Sequence, residues 1–84
     1  MFKGSKYFWE IAGFTKSEKR VSIYRCSSFE QALKAFIEKY PRFRGEANIL
    51  KCRYNILSDG LYSSTRDYQV INHFDSTKQI KEWI

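Results

Sequence analysis

One histidine, His73, and two cysteines, Cys26 and Cys52, are the side chains of this 84-residue sequence most suited to nucleophilic or acid–base work. A reactive thiol must ionise, which needs exposure and a cationic neighbour. Both cysteines instead alternate with core-type residues, the pattern of small buried thiols. His73 ends a strand-like run beside Phe74, where a lone imidazole reads as a turn or core residue. Asp67 and Asp75 read most simply as a turn residue and a helix cap. Two thiols and one imidazole fall short of the four close-spaced ligands of structural zinc. Four scattered glycines build neither a phosphate-cradling loop nor a dinucleotide fingerprint. Without a nucleophile–base pair the sequence points away from an enzyme, and toward a binding protein with no cofactor, no metal and no small-molecule substrate.

The chemistry of binding is better supplied. Fifteen Lys and Arg against nine Asp and Glu give a net charge of +6, and the excess is uneven. Its densest stretch carries Arg42, Arg44, Lys51 and Arg53 against the single carboxylate Glu46. A concentrated positive field attracts phosphate backbones or acidic protein surfaces, and it also serves simply to keep a small domain soluble. Phe43 lies between two arginines and reads either as a stacking or anchoring ring or as an apolar plug under the link. Lys51 and Arg53 read either as nucleic-acid contacts or as the solvated face of an exposed strand. Arginine forks and exposed rings are the parts from which single-strand binders are made. The aromatic sheet motif of RNA-recognition domains, the Gly-x-x-Gly clamp, zinc-finger spacing and a basic zipper are all missing. The signal is therefore general electrostatics.

The elements that must position these groups follow from periodicity. Residues 7–14 (Tyr-Phe-Trp-Glu-Ile-Ala-Gly-Phe) are aromatic and branched on both faces, which predicts a central or doubly covered strand. A polar turn over 15–19 leads to a second strand over 20–26, in which Val21 and Ile23 oppose Ser22, Tyr24 and Cys26. Ser27 and Ser28, each with Glu30 or Gln31 three positions on, have the spacing of a capping box. Phe29, Ala32, Leu33, Phe36, Ile37 and Tyr40 then form one apolar helical stripe, which Pro41 ends. Residues 47–57 read as a long strand with Leu50, Cys52, Tyr54 and Ile56 inward, and Ile49, Lys51, Arg53 and Asn55 outward. Ser58-Asp59-Gly60 makes a hairpin turn. Residues 61–64 and 68–74 read as one bent strand or two short ones, and Asp75-Ser76 caps a closing helix edged by Ile80, Trp83 and Ile84. Trp83 is expected against a sheet edge or the second face.

The fold class predicted is α+β, β-β-α-β-β(β)-α. It is an antiparallel sheet of four or five strands, with one amphipathic helix across a face and a short C-terminal helix. Eighty-four residues make a single domain over 1–84. No apolar run approaches the roughly 20 residues of a membrane span, and the start lacks the apolar block of an export signal. A cytoplasmic protein with reduced thiols is expected, without membrane partners. Fifteen aromatic side chains exceed what one small core easily hides, so exposed rings and a strand edge offer a second mode: pairing with another protein or homodimerisation.

The segment Phe74-Asp75-Ser76-Thr77-Lys78-Gln79-Ile80-Lys81-Glu82-Trp83-Ile84 resembles a strand-to-helix segment of small phage-encoded anti-CRISPR proteins that block type I surveillance complexes. The resemblance covers only these closing residues, and none of the family's binding residues falls within it. It implies a phage or mobile-element origin, a host cytoplasmic setting and stoichiometric inhibition of an RNA-guided complex. Taken with the charge pattern, the partner expected is nucleic acid or a host nucleoprotein complex, and the residues expected to engage it, from the cationic segment alone, are Arg42, Phe43, Arg44, Lys51 and Arg53.

Overall fold

The structure, a computed structural model, describes residues 3–84. The chain runs β1 (Gly4–Thr15), β2 (Arg20–Cys26), α1 (Phe29–Lys39), β3 (Arg44–Ile56), β4 (Tyr62–Ser76) and α2 (Thr77–Lys81). All pairings are antiparallel, in the order β2-β1-β3-β4, so the aromatic strand β1 is central as its two-sided pattern requires. The α+β class and the four-strand count agree with the sequence reading. The bent segment after the Asp59-Gly60 turn is one continuous strand, whose irregularities are absorbed as register shifts against β3.

Helix α1 forms where its stripe predicts. Ser28 Oγ accepts from Gln31 N at 3.1 Å, and Gln31 Oε1 accepts back from Ser27 N at 3.2 Å, so orphan amides at the start are satisfied reciprocally. Ala32, Leu33 and Phe36 are buried from this helix. They meet Ile11, Val21, Ile23, Ala47, Ile49 and Phe74 from the sheet and Ile80 from α2 in one cluster. Phe36 is its centre, with ring centroids 5.0–5.1 Å from Tyr40, Phe43 and Phe74. Trp83 packs edge-on to Phe74 at 6.2 Å, so α2 joins α1 on the same face of the sheet and leaves the second face open.

The sheet outruns its helices, with principal extents of 42 × 26 × 19 Å. Beyond the helical cover the core changes sides. Phe8, Leu50, Cys52 and Tyr54 form a second buried cluster on the opposite face, with Ala12 and Tyr62 against it. Strand β3 therefore has no single inward set. Ile49, expected outward, is fully buried under the helices, while Leu50, Cys52 and Tyr54 are buried behind them. A second correction concerns Cys26. Trp9 pairs with Cys26 but Ile11 with Ile23, so one extra residue in β2 opposes Glu10. Arg25 takes up the slack at φ 54°, and the bulge turns Cys26 to the helix side.

Candidate functional site

The helix-end link, residues 41–44, is a short tether held from beneath. Phe43 is buried in the main core, so its ring is the plug of that reading and is closed to stacking. Buried Thr77 locks the backbone around it. Its Oγ1 accepts from Phe43 N at 3.0 Å and donates to Tyr40 O at 2.6 Å, and Thr77 N donates to Phe43 O at 3.1 Å. Arg42 and Arg44 flank the plug and are exposed. Gly45 follows because β1 passes too close for a side chain; a Cβ there would stand 2.1 Å from Phe14 O. That close approach lets Lys16 N donate to Arg44 O at 3.0 Å.

Helix α2 completes the site. Ile80 anchors it in the core, while Lys78 and Lys81, three apart, share the exposed side. The result is an open groove of about 610 Å³ lined by Lys16, Arg42, Arg44, Lys78 and Lys81, with Asp75 the one carboxylate on its wall. The ion pairs among the described residues are Lys34–Glu30, Arg53–Asp67 and Arg66–Glu10, and none involves the five groove cations. Five positive charges thus face one carboxylate, Asp75, which forms an ion pair with none of them. Past Lys16 and Gly45 the surface turns acidic, with Glu18 and Glu46 around the exposed ring of Phe14.

Lys51 and Arg53 do not join this groove. They lie seven and nine residues along β3 from Arg44, roughly 23 and 30 Å at the rise of an extended strand. The five residues expected to act together are thus divided between two places, with one of them in the core. Arg53 pairs with Asp67 directly across from it on β4, and that hydrogen bond and charge push the guanidinium pKa further up. Asp67 is accordingly a strand residue and not a turn. Lys51 Nζ lies 5.1 Å from the Tyr7 ring centroid and 5.7 Å from that of Trp9.

The groups with catalytic potential are occupied structurally. His73 is an exposed mid-strand residue whose Nδ1 lies 2.9 Å from Asn48 Oδ1 on β3, not a turn or core residue. Both cysteines are free thiols; Cys52 is buried and Cys26 half-buried. Burial pushes the Cys52 pKa up, with Arg66 opposing and the Glu10 charge adding to the rise. Burial and then Glu10 push Cys26 up as well. A thiol held protonated is a weak nucleophile.

Sequence reasoning missed a polar knot behind the second cluster. Glu10 is 1% exposed at the middle of β1. Tyr54 donates its hydroxyl to Glu10 Oε2, and Arg66 Nε stands 2.9 Å from Glu10 Oε1 in charge contact without hydrogen-bond alignment. Arg25, turned by its bulge, lies over the rings of Tyr54 and Tyr62 at 4.9 and 5.3 Å. The signal was present in the alternation, since Glu10 shares the parity of Phe8 and Ala12. No helix among the described residues is long and apolar enough to cross a membrane. No protein-family model matches the chain, and comparison with curated proteins and with solved structures yields no significant match.

Proposed function

We propose that the protein is a non-catalytic binding protein whose groove at Lys16, Arg42, Arg44, Lys78 and Lys81 takes the phosphate backbone of a nucleic acid. The observation that carries this reading is the convergence of five cations from three separate chain segments on one concavity with a single carboxylate and no internal ion pair. Such an arrangement keeps like charges together at a cost that an anionic partner relieves. The sign of the charge also separates two versions of the idea. A surface built to hold nucleic acid is itself cationic, so a protein of net charge +6 is suited to the nucleic acid rather than to the empty channel. If the closing segment's anti-CRISPR resemblance reflects function, the contact with an RNA-guided complex runs through its nucleic acid.

The test is an oligonucleotide titration over a series of salt concentrations. Five phosphate contacts correspond to a slope of log K against log salt of about −3.5 to −4.5, and Arg42→Ala with Arg44→Ala should flatten it by about 1.5. An unchanged slope, or no binding at low salt, rejects the reading. A second reading, pairing with another protein, is favoured by one observation: Tyr68, Val70 and Ile71 are exposed on the edge strand β4. Sedimentation equilibrium distinguishes a self-pairing edge from a monomer.

A further inference from the structure

The uncovered half of the helix-side face carries a second group of exposed side chains that the groove does not use. Tyr7, Lys51, Arg53, Asp67 and Gln69 stand together there, in cross-strand register from β1 through β3 to β4. They surround a shallow hollow of about 340 Å³. Tyr7 is the unusual member. It is 55% exposed in the middle of a central strand, although its neighbours Phe8 and Trp9 are buried and half-buried. Trp9 is braced edge-on against Phe29 at 5.4 Å where α1 begins, and the β1–β3 ladder continues through Tyr7 beyond the helix.

We propose that this hollow is a stacking site for an unpaired nucleobase, with the Tyr7 ring as the platform. This rests on the nucleic-acid reading above and deepens it, because it specifies single-stranded rather than duplex ligand. Every base offers a flat π face once it leaves a duplex, and an aromatic ring on a rigid sheet meets that face with little loss of freedom. Lys51, already over Tyr7 and Trp9, carries a mobile ammonium group able to meet the adjoining phosphate. Gln69 presents an amide with both donor and acceptor, and Asp67 keeps carboxylate lone pairs beyond those used by Arg53, so polar edges of a base find partners around the ring. A protein hot spot would instead seat its anchor in an apolar pocket, whereas this hollow is walled by charged and amide groups. Duplex DNA has no free base face to offer.

The experiment compares the intact chain's affinity for a short oligothymidylate and for an abasic oligodeoxynucleotide of the same length, which keeps the phosphates and removes the bases. The thymidylate is expected to bind about tenfold more tightly, the scale of one stacked base. Tyr7→Thr, which preserves strand preference, should erase that difference, and Tyr7→Phe should retain it. Equal binding of the two probes by the unaltered protein overturns this inference and leaves the groove standing. A preference that survives Tyr7→Thr, or is lost in Tyr7→Phe, overturns it as well. Failure of both probes to bind at low salt overturns the groove and the stacking site together.

Discussion

The two ends of the sheet solve the same problem in different ways. At the end covered by α1 and α2 the apolar side chains lie beneath helices, and the cations are left over at the rim, without carboxylate partners. At the free end no helix is available. The buried cluster moves to the other face, closed by aromatic edges and the Arg25 guanidinium, with Glu10 held by Arg66, while Arg53 pairs with Asp67 on the helix-side face. The densest cationic stretch is divided between the two ends, Arg42 and Arg44 at one and Lys51 and Arg53 at the other, so density alone does not mark a binding site. What distinguishes them is convergence: the groove gathers five cations on one concavity, whereas at the free end Arg53 and Arg66 are paired and Lys51 lies over aromatic rings.

The contrast breaks most visibly at the helix end. Phe36→Ala removes a fully buried ring with three aromatic neighbours and should destabilise by about 3–5 kcal/mol, whereas Leu50→Ala in the helix-free cluster should lie near 2. Denaturant unfolding measures both, and equal losses would mean the two clusters form one core. Next comes the polar knot. Arg66→Met leaves the Glu10 carboxylate buried beside Tyr54 without its counter-charge; because Arg66 is partly exposed, the expected loss is about 2–3 kcal/mol. Restoration by the double change Glu10→Gln with Arg66→Met would support a charge effect over a packing one.

Thr77→Val is nearly isosteric but removes the hydroxyl that serves Phe43 N and Tyr40 O, for an expected loss of about 2 kcal/mol. It should also weaken nucleic-acid binding by loosening Arg42 and Arg44, which separates a positioning role from simple destabilisation.

The smallest effect is a pH dependence. Tyr54 is pushed up by burial and then by its bond to Glu10, with Arg25 opposing, and Cys52 is pushed up chiefly by burial. Both groups hold their protons more tightly when folded. Their contribution is therefore complete below the ordinary values and lost as pH rises through the folded ones, so stability should decline upward from roughly pH 8.5 to 10. Urea midpoints at neutral and alkaline pH measure the decline, and a flat profile would contradict it.

Much of the frame was legible from the sequence. The 29–40 stripe and its Ser28 box fixed α1 because both signals depend only on near neighbours. The polar turns over 15–19 and at Asp59-Gly60 marked the hairpins. What alternation alone could not reveal was where the cover stops. Ile49 and Leu50 are both apolar and the pleat sends them to opposite faces, but alternation does not say that both faces are buried there, one under the helices and one by the second cluster. Arg25 carries no local sign of a bulge, so strict alternation places Cys26 on the wrong side. The groove was half visible. Arg42 and Arg44 stood out by composition, but Lys78 and Lys81 arrive from the far end of the chain through β4, and Lys16 from a turn. Their one local sign was the spacing of Lys78 and Lys81, on the side of α2 away from Ile80. Phe43 was ambiguous for a physical reason: a ring between two arginines looks the same in sequence whether Thr77 pins it inward or not.

The central claim is that the five cations gathered in the helix-end groove are the main seat of the phosphate chain. Backbone amide shifts followed by two-dimensional NMR during titration with a single-stranded oligonucleotide test it most directly. The account predicts that Lys16, residues 42–45 and residues 77–81 move together, with one apparent affinity that weakens as salt is added. Shifts along the β4 edge at Tyr68–Ile71 with the groove amides unmoved would contradict it.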